Sequence, residues 1–551
     1  MQNQRLILLL VFSFSLVMLW EAWQKQNQPK PIPAVATQSA QGAAGSAAIP
    51  TPSSTAPPTV ATALPAAAAP QIGATTSVKA KVKTDLFNAE ISAEGGNLVR
   101  LELTKHHATG DVSKSFVLFD NGEKHIYEAQ SGLIGVGLPS HKTLYELAAR
   151  DYQLKDGQEA LEVRLVAPAA NGIQVAKIYT FHRASYLIDI GYEIVNGGPA
   201  PINSSAYFQT VRDGKSPDDD PNMVSTFTGP AVYTEQEKFQ KLDFEDIAKG
   251  KGKHAQKADN GWIAVVQHYF VSAWLPQGKV EREFFTRKLA DNLYGIGVIV
   301  PVAAIAPGAS GKMTAQLYAG PQEQENLAKI APGLNLVVDY GWLTVVAAPL
   351  FWVLELIHHW VGNWGWAIIG LTVLLKLIFF PLSAASYRSM AKMKLVTPKL
   401  AKLKEQYGDD RARLNQEMME MYKREKINPL GGCLPIVVQI PVFIALYWVL
   451  LGTVEMRYAP WLGWIQDLSA KDPYFILPLI MGATMLVQTR LNPTPPDPIQ
   501  AKVMMFMPIV FTGMFLFSPS GLVLYWTVNN LLSIAQQWQI TRLIEGGKKA
   551  A

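Results

Sequence analysis

Five apolar stretches crowd into the last third of this 551-residue chain, at 364–382, 434–452, 473–489, 503–517 and 521–538. Runs of that length suit helices that satisfy their own backbone hydrogen bonds in lipid. A sixth run, 341–361, is ambiguous: it holds Pro349, Glu355, His358 and His359, and only Gly362 and Asn363 separate it from the next. Two spanning helices cannot reverse direction in two residues. The segment 383–432 carries eleven Lys and Arg, among them Arg388, Lys392, Lys394, Lys399, Lys402 and Lys404. Such an excess belongs on the cytoplasmic side. With one more span near a cytoplasmic N-terminus, six spans put this loop inside and a seventh would put it outside. The 341–361 run is therefore expected to lie along the outer membrane face as an amphipathic helix, within an interfacial stretch 331–363.

The extra span is the run 6–20, which follows Arg5 and precedes Trp20 and Trp23. The nearest Ala-x-Ala, at 34–36, is far from it for signal-peptide cleavage, so 1–23 is expected to be an uncleaved anchor. The sole cysteine is Cys433, which excludes an intramolecular disulfide, a CxxC metal site and a lipoprotein signal. Residues 24–78 are rich in Ala, Pro, Ser, Thr and Gln and read as a disordered linker. Beyond it, Val99, Leu101 and Leu103 alternate with polar residues, as do Ile188, Ile190, Tyr192 and Ile194 before Asn196-Gly197-Gly198. Repeated over 79–330, this is the pattern of a large extracytoplasmic β-sandwich. That domain holds seven of the nine histidines, including His106, His107, His182 and His268. No sequence motif joins any of them to a carboxylate, so a membrane-anchored carbohydrate enzyme is a weak alternative.

Lys376 stands alone in the run 364–382, about seven residues before Ser383, or roughly 10 Å along a straight helix. A charge at that depth costs on the order of 3 kcal/mol. The other four runs have no acidic or basic residue in their interiors. Lys376 must therefore snorkel to the lower headgroups or face a hydrated cavity. Thr372, Gln439, Thr484, Gln488, Thr512, Tyr525, Trp526, Asn529, Asn530, Ser533, Gln536 and Gln537 supply polar groups for such a cavity, though each alone also serves as packing glue between helices. The missing carboxylates weigh against the alternative of a secondary transporter for a small polar or anionic solute, and no nucleotide-binding motif supplies fuel. A passive device remains, driven by lipid burial of about 0.8 kcal/mol per CH₂. The run 503–517 is short, near 22 Å, and suggests local bilayer thinning.

The loop 383–430 reads as a helical hairpin broken at Pro398, with Gly408-Asp409-Asp410 as its turn and cap. Met390, Met393, Met418 and Met421, with Asp409 at the turn, are candidates for contacts with varied partners; a hairpin seam is the other reading. The segment 490–502, with four prolines, is expected to be extended.

Asn428-Pro429-Leu430-Gly431-Gly432-Cys433-Leu434-Pro435 with Gln439, Pro441 and Leu446-Tyr447 resembles a signature of the YidC insertases. So do Ser518-Pro519-Ser520-Gly521-Leu522-Val523-Leu524-Tyr525-Trp526 with Asn529-Asn530 and Gln536-Gln537, and Gly261-Trp262-Ile263-Ala264 to Trp274-Leu275-Pro276. The resemblance covers nearly the whole chain. It implies an α-helical membrane protein with an N-terminal anchor, a five-helix insertase core over 364–540, a short cytoplasmic tail at 541–551 and the β-sandwich in the periplasm. It further implies a non-enzymatic insertase and chaperone of the bacterial inner membrane, with both termini cytoplasmic and a hydrophilic groove open to cytoplasm and lipid. No cofactor is implied. The implied partners are nascent membrane proteins, the Sec translocon, the ribosome and the signal recognition particle receptor, with the chain working as a monomer. The family's usual groove cation is Arg, where this chain has Lys376; the charge is kept but the bidentate fork is lost.

Overall fold

The structure, a computed structural model, describes residues 49–52, 78–122, 125–217, 226–407, 410–425, 434–492 and 498–549. The expected anchor 1–23, most of the linker, Asp409 and the Gly431–Gly432–Cys433 stretch lie outside them.

Alternation of apolar and polar residues builds the first part of the chain as expected. Ten strands form one antiparallel-rich sheet and nine form a second. In the strand Leu187–Asn196, Ile188, Ile190, Tyr192 and Ile194 are buried between the sheets, while Asp189 and Glu193 face outward. Its register sets Ile188 against Phe181 on one side and Leu317 on the other. Polar ties cross the core: the Tyr127 hydroxyl donates to Ser272 Oγ at 2.8 Å, and Trp274 Nε1 donates to Thr210 Oγ1 at 3.1 Å.

The strands Trp262–Gln267 and Phe270–Pro276 are buried on both faces. One face joins the sandwich core through Ile263, Val265 and Trp274, and the other lies under Leu327, Leu334 and Val337. Trp262 Nε1 donates to the Pro332 carbonyl at 3.0 Å. Gly261 has φ +93°, and a Cβ there would stand 2.0 Å from the Tyr233 carbonyl oxygen. The Gly261-Trp262 motif is thus a packing requirement of this double-sided strand pair.

Two short helices, α1 (Phe244–Ala248) and α2 (Gln324–Ile330), belong to the β domain. The helical part then runs α3 (Thr344–Val361), α4 (Trp364–Ile378), α5 (Phe380–Tyr407), α6 (Arg411–Arg424), α7 (Leu434–Gly452), α8 (Ile476–Leu491), α9 (Pro498–Phe515) and α10 (Ser520–Lys549). Helix α3 buries Ala347, Phe351 and Leu354 in a cluster shared with Ala367, Leu371, Leu446 and Val449, and exposes Trp352 and Trp360, with Trp342 exposed in the turn just before it. By length and hydropathy, Gly341–Val361 alone among the described helices would cross a bilayer; Trp364–Ile378 with Phe380–Val396 would make a second if counted as one span bent by 67°. Its wide apolar surface is equally what an outer-face helix with interfacial tryptophans presents.

Several boundaries differ from expectation. Helix α9 begins at Pro498, because proline is well suited to a first helical turn, so the prolines of 490–502 do not keep that whole segment extended. The whole helix is about 27 Å long, but its apolar part, Ala501–Phe515, is short as expected; α4 and α8, with 15 and 16 residues, are short as well. Helix α5 continues through Pro398 rather than breaking there. Helix α10 runs to Lys549, so the expected tail is mostly helix.

Within the sandwich, Lys177 is fully buried, with Nζ donating to the Gly95 and Ser131 carbonyls at 3.0 and 3.3 Å. Nζ also lies over the rings of Tyr179 and Tyr192. Burial pushes its ammonium down to about 7. Between that value and the ordinary 10.5 the unfolded chain binds a proton that the folded chain does not, so stability rises as pH rises through this window and is flat below it. Lys177→Met removes the charge at similar volume. Chemical denaturation of the detergent-solubilised chain between pH 7 and 9.5 should show stability climbing with pH for the parent and a flatter profile for the variant.

Candidate functional site

The polar residues of the helical core gather along one stripe. Tyr525, Asn529, Ser533 and Gln537 recur every four residues on α10, so they stack on one helix face. Helix α10 packs against α4, α5, α7 and α8, and each neighbour meets the stripe with a polar group. From α7, Gln439 Nε2 donates to Asn529 Oδ1 at 2.7 Å, with Tyr525 alongside Gln439. From α8, Gln488 donates to Gln537 Oε1, and Gln537 Nε2 reaches Asn492 Oδ1 at 3.1 Å. Asn530, one residue off the stripe, donates to Thr484 Oγ1 at 3.2 Å.

Lys376 joins from α4. Its ammonium donates to Ser533 Oγ at 2.7 Å, and that hydroxyl donates onward to the Asn529 carbonyl, also at 2.7 Å. Tyr387 of α5 closes over Ser533. The side chain is only 7% exposed and forms no ion pair among the described residues. The depth argument from a straight helix to Leu382 does not hold, because the chain bends by 67° between α4 and α5. The bend places Lys376 in the last turn of α4, where the partial negative charge of the helix C-terminus favours a cation. Lys376 thus sits inside a polar seam, its charge met by a hydroxyl and a helix dipole. The structure has a cavity of about 1010 Å³ elsewhere, at the β-domain end of the helices, and Lys376 does not line it.

Not every expected groove residue comes to the stripe. Thr372 donates to the Ile368 carbonyl of its own helix and is buried. Thr512 likewise donates to the Pro508 carbonyl and packs on Gly482, where a Cβ would stand 2.3 Å from its Oγ1. Trp526 turns the other way, into an aromatic cluster with Phe443 at 4.5 Å and Phe511 at 6.2 Å. Asn530 and Gln537, both expected among the polar groups, belong to the seam, and Tyr387 joins it although nothing in its sequence setting points there. At the start of α10, Ser520 donates through both N and Oγ to the Ala470 carbonyl at 2.7 Å, so its motif seats the helix on the preceding loop.

In the hairpin, Met421 is buried with Val396 and Tyr422, and Met393 packs beside them. These two methionines make the hairpin seam. Met390 and Met418 are half-buried and Met419 is exposed. Helix α6 is capped at its start by Asp410, whose carboxylate accepts from the Ala412 and Arg413 amides at 3.1 Å. In the β domain the fold does bring histidine to carboxylate: His125 Nδ1 and Asp213 Oδ2 are 2.7 Å apart, as are His182 Nε2 and Asp189 Oδ2. The described residues include no cluster suited to a metal ion.

With this architecture in place, residues 79–353 match the YidC periplasmic domain and residues 356–548 match the 60Kd inner membrane protein family. A membrane protein insertase YidC from Aromatoleum aromaticum is 63% identical over 552 residues, covering all of both chains. The chain belongs to the YidC insertase family. The corresponding protein of Dechloromonas aromatica is 60% identical, covering all of this chain and 99% of that one. An active YidC insertase crystal structure is 19% identical, covers 84% of this chain and 92% of its own, and aligns with a TM-score of 0.38. The family is one of inner-membrane proteins named as insertases, which are not enzymes.

The tight crossing of α8 and α9 at Gly482 yields a direct expectation. Gly482→Val inserts branched carbons into the space of Thr512 and overpacks it, at a cost of about 1–3 kcal/mol. Thermal melting of the solubilised chain should fall for Gly482→Val and recover in part for Gly482→Val with Thr512→Ala; an unchanged midpoint in the single variant would contradict the packing.

Proposed function

We propose that this chain inserts newly made inner-membrane proteins, alone or beside the Sec translocon, and that the seam around Lys376 receives the polar flank of each incoming segment. The observation carrying this reading is an ammonium held by the Ser533 hydroxyl, with no carboxylate partner among the described residues, on a stripe of amides and hydroxyls. Amides and hydroxyls can exchange partners with a peptide flank at small net cost, because each bond lost within the seam is replaced by one to the substrate. A lone cation adds attraction for an acidic flank, as a point charge and not a fork. Lipid burial of the apolar segment then supplies the driving force.

In this reading the core 364–540 spans the inner membrane with both termini cytoplasmic, and α3 lies on the outer surface. The short helices α4 and α8, about 22 and 24 Å, thin the bilayer beside the seam. The hairpin α5–α6 meets the ribosome, the signal recognition particle receptor or the nascent chain through its exposed basic side chains and Met419. The chain works as a monomer and needs no cofactor.

Reconstituted insertion of a single-span protein with an acidic leading flank measures the role of Lys376. A charged hydrogen bond is worth about 1.5–3 kcal/mol, so Lys376→Ala should slow insertion by roughly ten- to a hundred-fold. Lys376→Arg should keep it, and a substrate with a neutral flank should be less affected by the Ala change. An Ala variant as active as the parent would overturn the role.

A further inference from the structure

At the β-domain end of the helical core, the cavity of about 1010 Å³ opens between elements of opposite character. One wall belongs to α7 and α9 and is apolar, built from Phe443, Ile444, Tyr447, Leu451, Met514 and Phe515. Below it, α9 continues outward as an exposed apolar face with Phe506, Ile509 and Val510. The opposite wall comes from the β domain and the loop between α7 and α8, and it carries charge.

Three charged groups line that wall: Arg457, Asp467 and Lys471. The Arg457 guanidinium lies 5.2–5.7 Å from the rings of Phe116, Tyr269, Phe270 and Tyr458 and donates to Thr109 Oγ1 at 2.8 Å. Asp467 Oδ1 accepts from the Ser469 amide and hydroxyl at 2.8 and 2.7 Å. Lys471 is exposed and forms no ion pair among the described residues. Trp464 on the same rim is partly exposed, as interfacial aromatics are.

Two cations and one carboxylate facing an apolar wall complement a ligand with a phosphate, an ammonium and hydrocarbon tails. We propose that this cavity binds one aminophospholipid, its phosphate between Lys471 and Arg457, its ammonium at Asp467, and its acyl chains along α7 and α9. The bound lipid bridges the β domain to the helical core. The proposal depends on the chain lying in a bilayer and not on how insertion proceeds.

Delipidated full-length chain in detergent, titrated with dioleoyl phosphatidylethanolamine, phosphatidylcholine or phosphatidylglycerol, is read by native mass spectrometry. A one-lipid adduct should form at the lowest concentration with phosphatidylethanolamine. Lys471→Glu, an exposed change, should weaken it by about ten-fold. Asp467→Asn should abolish the preference for phosphatidylethanolamine over phosphatidylcholine, while Lys376→Ala keeps the adduct and so separates this site from insertion. Equal uptake of the three lipids, a preference for phosphatidylglycerol, or parent-like uptake by both rim variants would overturn the proposal. So would photocrosslinks from position 517, where Phe517 lines the cavity, that reach a nascent chain and no lipid.

Discussion

The hydrogen bond from the Lys376 ammonium to the Ser533 hydroxyl sets the terms for the helical core. An ammonium among apolar helices is tolerated only where its charge is met, and here a hydroxyl and the C-terminal end of α4 meet it. The bend after Ile378 ends α4 beside the charge and turns α5 away as the first arm of the hairpin. A carboxylate at this place would form a closed pair that resists opening. The Ser533 hydroxyl leaves the cation able to change partners. That exchangeability, more than the depth of the charge, is what the proposed role of the seam rests on.

The β domain is organised by a different constraint. Its strand pair Trp262–Gln267 and Phe270–Pro276 is covered on both faces, so the sandwich continues into the segment 324–337 that leads to α3. Contacts across the junction are specific: His268 Nε2 bonds the Leu451 carbonyl at 3.0 Å, and the Tyr458 hydroxyl donates to the Ala108 carbonyl at 2.5 Å. The first falls at the C-terminal end of α7, the helix that also supplies Gln439 to the seam, and the second in the loop that follows it. A domain held at one end of α7 is placed to resist tilting of that helix.

Much of this was legible before any coordinates. Alternation at Ile188 to Ile194 gave the strand and its buried face, and the run 521–538 located most of α10. What stayed hidden was partner choice. His125 and Asp213 are 88 residues apart, and only the sheet register brings them together. Thr372 and Thr512 looked like groove residues because a hydroxyl in an apolar helix has two outlets, the cavity or the carbonyl four residues back, and sequence does not say which. Met393 and Met421 were ambiguous for a similar reason, since a flexible thioether serves a seam as well as a binding surface. Pro398 was read as a break because proline removes a helix donor, yet α5 runs through it.

The central claim is that incoming polypeptide touches the α10 stripe. A photocrosslinking residue at Asn529, which faces Gln439 across the seam, reports this directly with a ribosome-stalled membrane protein. The account predicts crosslinks to the polar flank of the nascent chain from position 529, and weaker ones from Ile509 on the outer face of α9. Crosslinks from 509 with none from 529 would mean that substrates travel along the lipid side and never enter the seam.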